Sequence, residues 1–209
     1  MISALFAAMA LMALAQTAQA KNVQTAIVAG GCFWCVESDF DGIKGVISTT
    51  SGYTGGTTKN PTYKKISKGG TGHYEAVKVE FDADVISYEK LIDKFWRSVD
   101  VVDAGGQFCD RGDTYRTAVF ATTPQQAITA EKSKAAAQKA LGQTIVTPVL
   151  MAGTFYIAEK YHLDYYQSSD IVITRRGPMS KAKAYKFYRE GCGRDKRIQQ
   201  LWGEPFHGS

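Results

Sequence analysis

The chain has 209 residues, 44% of them apolar and 22% charged, and a formal net charge of +5. That length suits one domain able to bury its own core, so the four cysteines are not needed as staples for folding. A basic excess this small bears on solubility and gives no reason to expect a nucleic-acid partner.

The first twenty residues carry no Lys, Arg, Asp or Glu. They contain the apolar run Ala4 to Leu14 and end Ala18-Gln19-Ala20, an A-x-A cleavage pattern. Residues 1–20 therefore read as a secretory signal peptide removed after Ala20, and residues 21–209 as a single domain with 168–209 as a C-terminal extension. The alternative is an uncleaved anchor. The run is short for a span of about 20 residues, and Gln16 and Gln19 interrupt its end. A cleaved signal makes the mature protein exported, to the periplasm, with no membrane association.

Gln24 to Ala29 is a short apolar segment closed by Gly30-Gly31, the pattern of a buried strand. Phe33, Val36, Phe40 and Ile43 recur at helical spacing and predict a helix over Cys32 to Ile43. Val46 to Tyr53 is β-branched and strand-like, and Gly55 to Gly72 reads as a long loop of the kind that carries function. Tyr74 to Phe81 alternates as a strand, with Glu75, Lys78 and Glu80 breaking the apolar run. Ser87 caps a helix carrying Leu91, Ile92, Phe95 and Val99, and Asp103 to Asp113 is a second loop. A strand over Thr117 to Ala121 precedes a helix opened by Pro124 and closed by Gly142. Ile145 to Met151 is a further predicted strand and Lys181 to Arg189 a late helix. The class is α+β: a ferredoxin-like split β-α-β core with an added helix, strand and irregular C-terminal tail.

Cys32 stands where the first strand meets the first helix. Unpaired N–H groups at a helix start favour negative charge, so this position is expected to lower the thiol pKa and supply a nucleophilic thiolate. Phe33 and Trp34 follow it, as core residues or as an aromatic wall beside the sulfur.

The run Gly31-Cys32-Phe33-Trp34, followed by Val36-Glu37, resembles the signature of the A-type peptide-methionine sulfoxide reductases. The likeness continues in order through Gly52 to Gly56, Asn60-Pro61-Thr62-Tyr63, Gly72 to Val77, Asp110-x-Gly112-x-x-Tyr115-Arg116 and the Phe155 to His162 segment. Five motifs in register, across roughly residues 24 to 167, make it specific.

The resemblance implies a mechanism and its residues. Cys32 attacks the sulfoxide sulfur, and Glu75, kept neutral by a partly apolar pocket, protonates the departing oxygen. Tyr63 and Tyr115 hydrogen-bond that oxygen, Asp110 holds the polar side, and Phe33 and Trp34 hold the methyl group. Cys32 is left as a sulfenic acid. From pattern alone, Glu75 would be a solvated strand residue and the two tyrosines ordinary half-buried ones. His73 and His162 are expected to be structural. The resemblance further implies the S epimer as substrate, free or in proteins, and no cofactor beyond an external dithiol such as thioredoxin. A monomer is expected.

This chain has Cys35 where the family commonly has Gly, and Thr114 where Gln is usual. A sulfenic acid must be resolved by a second thiol. Cys192, in Gly191-Cys192-Gly193-Arg194 of the tail, is the first candidate, because the family often carries its resolving cysteine there. Cys35, one helical turn from Cys32, is the next, and Cys109 beside Asp110 the third. Two rival readings are weaker. A thioredoxin-like oxidoreductase would use Cys32 and Cys35 but leaves Tyr63, Glu75 and Tyr115 unexplained. A zinc module would need a second C-x-x-C pair, which Cys109 and Cys192 do not form.

Overall fold

A computed structural model describes residues 21–206. The expected signal peptide lies outside the described residues. Among those described, no helix is long and apolar enough to cross a membrane.

The long elements follow the expected succession. Strand β1 (Val23–Gly30) leads into helix α1 (Phe33–Asp41), then β2 (Val46–Thr54), a short helix α2 (Tyr63–Ile66) and β3 (Tyr74–Asp82). Helix α3 (Tyr88–Ser98) follows, then the two-residue strands β4 (Gly106–Gln107) and β5 (Asp110–Arg111), β6 (Thr117–Ala121), α4 (Pro124–Leu141), β7 (Val149–Met151) and β8 (Tyr156–Ile157). The chain ends in β9 (Ile171–Thr174), β10 (Gly177–Ser180), α5 (Lys181–Gly191) and α6 (Arg194–Trp202).

Six strands form one mixed sheet in the order β7-β6-β1-β3-β2-β8. β1 runs antiparallel to both β3 and β6, and β2 antiparallel to β3, while β7 joins β6 in parallel. β1 is central, which is why Ala26 to Gly30 are buried on both faces and read as an unbroken apolar run. One face packs on α1 and α3 through Val77, Val79, Phe81, Phe33, Phe40, Leu91 and Phe95. Trp96, fully buried on α3, donates its indole N–H to Ser133 of α4 at 2.9 Å, satisfying the one polar atom that its burial would strand. The other face carries a smaller cluster around Ile27, Tyr74 and Phe120.

Helix ends follow their sequence signals. Ser87 accepts from the Lys90 amide at the start of α3, Thr123 does the same for α4 with Pro124 behind it, and Gly142 closes α4 in the left-handed region at φ 70°. Three expectations change. The strand expected from Ile145 begins only at Val149, because the Ile145 amide turns to the Gln138 side chain and the Val146 amide to the Val101 carbonyl. The Gly55 to Gly72 loop contains α2. The tail is ordered as a β-hairpin and two helices rather than irregular. Ser180 caps α5 through the Lys183 amide, and Gly193, left-handed at φ 68°, turns the chain from α5 into α6.

Candidate active site

The strand-to-helix corner sets the site. Gly31 lies at φ +80°, and a Cβ there would come 2.5 Å from the Gln107 side chain, so only glycine fits this close turn. The turn makes Cys32 the cap of α1, with its carbonyl accepting from the Cys35 and Val36 amides. A cavity of about 70 Å³ opens beside it, lined by Cys32, Phe33, Trp34, Tyr63, Glu75, Asp110, Tyr115 and Tyr188. Seven of these eight are the residues expected from the sequence. They are brought together from α1, α2, β3, β5 and the turn Asp113–Tyr115.

Each is held by a specific contact. Glu75 pairs with Tyr53 across β2 and β3 and is 2% exposed. It shares its face with Val77, Val79 and Phe81, not with Lys78 and Glu80, so the solvated reading of the alternation does not hold. The Phe33 amide, one of the orphan donors at the helix start, donates to Glu75 Oε2 at 3.0 Å. Tyr63 opens α2, and its amide donates to Glu159 at 2.9 Å. Thr114, where the family commonly has Gln, donates its hydroxyl to the Ile66 carbonyl at 2.8 Å and so ties the Tyr115 turn to α2. Tyr188 of α5 donates to the Asp110 carboxylate.

The electrostatics are those of a dry pocket. Burial pushes the Glu75 carboxyl well above the usual carboxylate range; the Phe33 amide opposes that and Asp110 adds to it. Burial likewise raises Asp110. Tyr63 and Tyr115 are hydrogen-bond neighbours, and burial raises both phenols, so both remain donors. The expected lowering of the Cys32 thiol is reversed. Burial raises it, and so do its hydrogen bond to the Cys35 sulfur and the charges of Cys35, Glu75 and Asp110. Desolvation and negative neighbours thus outweigh the helix start. Cys35 moves the other way, lowered first by the Cys32 hydrogen bond and then by Arg194 and Arg189.

This constellation can accept an oxygen-bearing sulfur substrate: a nucleophile, a neutral acid and two hydroxyl donors around one small cavity. A family described as peptide methionine sulfoxide reductase matches residues 24–200. The chain belongs to that family. It is an oxidoreductase, a peptide methionine sulfoxide reductase. It is 49% identical over 203 residues to peptide methionine sulfoxide reductase MsrA 2 of Caulobacter vibrioides, covering 95% of this chain and 96% of that one. It is 44% identical over 190 residues to MsrA of Bacillus licheniformis, covering 88% and 96%. Among solved structures, it is similar to methionine sulfoxide reductase A of Corynebacterium diphtheriae, with a TM-score of 0.63, 32% identity, and coverage of 68% of this chain and 73% of that one. The reduced form of Mxr1 from Saccharomyces cerevisiae gives a TM-score of 0.66 at 28% identity, with coverage of 68% and 83%.

The reductase divides its cysteines into two pairs. Cys32 and Cys35 are free and buried together. Cys109 and Cys192 form a disulfide across 83 residues, with a Cα–Cα distance of 5.1 Å. Cys192 is therefore bonded to the third candidate and lines a different cavity, with Phe187, Tyr188 and Met179. The second half of the tail closes the corner. Arg194, 1% exposed, donates to the Gly30 carbonyl at 3.1 Å and to the Ser98 carbonyl at 2.7 Å. Arg189 pairs with buried Asp39 at 2.7 Å, and Arg194 with the same carboxylate at 3.4 Å.

Three residues of the site have no role assigned by the sequence. Tyr188 lines the cavity, Tyr165 stacks on Trp34 at 3.8 Å and 7°, and Glu159 holds Tyr63. Tyr185 and Tyr188 stand three apart on a predicted helix, the one signal that α5 faces something apolar. His162 packs on Phe33 at 5.0 Å and Tyr63 at 4.6 Å, and burial lowers it to about 4, so it is neutral. His73 accepts from the Gly56 amide at 3.2 Å, and its Nε2 lies 2.8 Å from the Thr58 carbonyl. Among the described residues, no group of three or more His, Cys, Asp or Glu side chains is placed to hold a metal ion.

Proposed function

We propose that the reductase acts on the S epimer of methionine sulfoxide, free or in proteins, through Cys32 as nucleophile and Glu75 as acid. The observation that carries this reading is the convergence of Cys32, Glu75, Tyr63 and Tyr115 on one cavity walled by Phe33 and Trp34. Burial raises both the Cys32 thiol and the Glu75 carboxyl, which leaves Glu75 with a proton to give.

The Cys32 sulfur attacks the sulfoxide sulfur while Glu75 protonates the oxygen, and Tyr63 and Tyr115 donate to it as charge develops. The sulfur–sulfur bond so formed and the substrate S–O bond then both break as the oxygen passes to Cys32, leaving methionine and a Cys32 sulfenic acid. The substrate sulfur is reduced by two electrons, the Cys32 sulfur is oxidised by two, and the proton from the Cys32 thiol returns to Glu75. Phe33 and Trp34 hold the methyl group, and Asp110, fixed by Tyr188, keeps the polar wall in place. Cys35 then attacks the sulfenic sulfur; a Cys32–Cys35 disulfide forms and water leaves. The adjacency of the two sulfurs and the lowered Cys35 thiol support this assignment. An external dithiol of the thioredoxin type reduces the disulfide and returns both thiols. The enzyme needs no other cofactor in this reading, works as a monomer, and acts in the periplasm after loss of residues 1–20.

Turnover of the two separated sulfoxide epimers by wild type and by Cys32→Ser tests the assignment. Wild type is expected to reduce the S epimer and leave the R epimer, and Cys32→Ser to reduce neither. Equal activity of the two proteins would sink the mechanism. Reduction of insulin disulfides without sulfoxide turnover would give a thioredoxin-like oxidoreductase instead.

A further inference from the structure

Tyr63 sits at the first position of a four-residue helix in a long loop, a weak platform for a catalytic hydroxyl. α2 cannot fix it unaided: its backbone hydrogen bonds, from the Lys65 and Ile66 amides to the Thr62 carbonyl, leave the Tyr63 amide as an orphan donor. That donor is met from far along the chain. Glu159 Oε1 accepts from the Tyr63 amide at 2.9 Å, and Glu159 Oε2 accepts from the Tyr53 hydroxyl at 2.7 Å. Tyr53 is fully buried, belongs to β2 and is the strand partner of Glu75. One carboxylate therefore joins the loop that carries Tyr63 to the sheet position opposite the proton donor.

The approach of this segment is built into the fold. β8 pairs with β2 at Gly52 and Tyr53, and Gly52 has no side chain to hold it off: a Cβ there would lie 2.4 Å from the Tyr156 carbonyl oxygen. The Ala158 amide continues the ladder to the Ser51 carbonyl at 3.0 Å. The turn Lys160–His162 then sets the His162 ring 4.6 Å from the Tyr63 ring. Backbone and ring of Tyr63 are thus both held by residues 159–162. Burial acts to raise the Glu159 carboxyl, but the Tyr53 hydroxyl and the Tyr63 amide outweigh it and keep the group below the usual range. It is ionised at neutral pH, and both bonds are charge-assisted.

We propose that Glu159 is a positioning residue for the reaction, acting through Tyr63 to hold its hydroxyl against the sulfoxide oxygen. The proposal rests on the reading of Tyr63 as a donor to that oxygen. A geometric role of this kind appears in the rate and not in binding, since misplacing a group by about 1 Å can cost about 100-fold.

A double-mutant cycle tests it, read as methionine released in a single turnover so that recycling does not intrude. Glu159→Gln keeps the volume but sets an N–H₂ group against one of the two donors. It is expected to lower the single-turnover rate about 10- to 100-fold, with the half-saturating sulfoxide concentration unchanged. In a Tyr63→Phe background the same change is expected to cost less than about twofold, because the group being positioned is gone. Tyr53→Phe, which removes one donor and leaves the carboxylate, should give a smaller loss that is likewise absorbed by Tyr63→Phe. Independent, multiplicative losses in the double variants would overturn the proposal and make Glu159 a general structural contact. A Tyr63→Phe enzyme as fast as wild type would instead remove the Tyr63 role itself, and the positioning role with it.

Discussion

The two cysteine pairs occupy opposite regimes. Cys32 and Cys35 are three residues apart on one helix turn, buried and unbonded; Cys109 and Cys192 are 83 residues apart and bonded. The near pair is held by a glycine turn and a helix start whose Phe33 amide donates to the Glu75 carboxyl. Its two sulfurs are set apart electrostatically, Cys32 raised and Cys35 lowered. The far pair closes a long loop and anchors the tail against the strand that carries Asp110. The same side chain therefore stands once as a free, electrostatically tuned thiol and once as a covalent fastener, and the surroundings of each sulfur differ accordingly.

The sharpest way to break this division is to remove one member of each pair. Cys35→Ser should release one methionine per enzyme at close to the wild-type rate and then stop when only a dithiol donor is present. Cys192→Ser should continue to turn over. Arrest of recycling in Cys192→Ser, with Cys35→Ser unimpaired, would put the far pair in the catalytic relay and end the contrast.

Glu75→Gln tests what distinguishes the near pair, its acid. The single-turnover rate is expected to fall about 10²- to 10⁴-fold. The sign with pH is fixed by the direction of the shift. The acid form is the active one and burial holds it well above the usual carboxylate value, so the wild-type rate falls as pH rises through that raised value. A pH–rate profile of Glu75→Gln should lack that alkaline limb; its persistence would assign the limb to another group.

The far pair should show its role in stability. Cys109→Ser or Cys192→Ser is expected to cost about 2–4 kcal/mol, because the disulfide constrains a long loop in the unfolded chain. The midpoint of denaturant unfolding measures this, and an unchanged midpoint would deny the fastener role.

The smallest effect lies beside the near pair. Glu37, on α1, is buried and raised to about 7, by desolvation first and then by Asp164. Its folded-state pKa lies above the unfolded value, so the folded state binds the proton more tightly. Stability therefore declines as pH rises from the ordinary carboxylate value through about 7, and levels off above it. Glu37→Gln should recover ~2 kcal/mol at pH 8 and little at pH 4. Parallel melting curves of the two proteins across pH would expose any other origin of the decline.

Much of the site was legible because its residues lie in short local signals. Gly31 to Trp34 announces a glycine turn, a nucleophile and an aromatic wall, and Tyr63, Glu75, Asp110 and Tyr115 follow in family order. The structure gathers all of them around one cavity. What escaped depends on contacts distant in sequence. The pairing of Cys109 with Cys192 is one of three connectivities that four cysteines allow, and nothing local selects it. Tyr188 reads as an ordinary residue of a basic helix until α5 is placed against β5. Glu159 belongs to a motif but gains its meaning only from Tyr53 and Tyr63, more than ninety residues earlier. The alternation of β3 misled at Glu75, because a strand end can bury a carboxyl on its core face when a helix amide meets it there. The Cys32 shift runs against the expectation from its helix-start position, because that position is a local property whereas desolvation is not.

Arg194 ties the C-terminal helices to the corner that presents Cys32. Its guanidinium completes the corner that presents Cys32 by meeting the Gly30 carbonyl, a contact separated by 164 residues along the chain. So long a closure costs loop entropy that its buried contacts must offset. During synthesis the α1 thiols emerge early and the arginine that pairs with Asp39 beside them emerges late. Until then the corner lacks the cation that helps lower the Cys35 thiol. The near pair thus takes part of its electrostatic setting from a helix at the other end of the described chain.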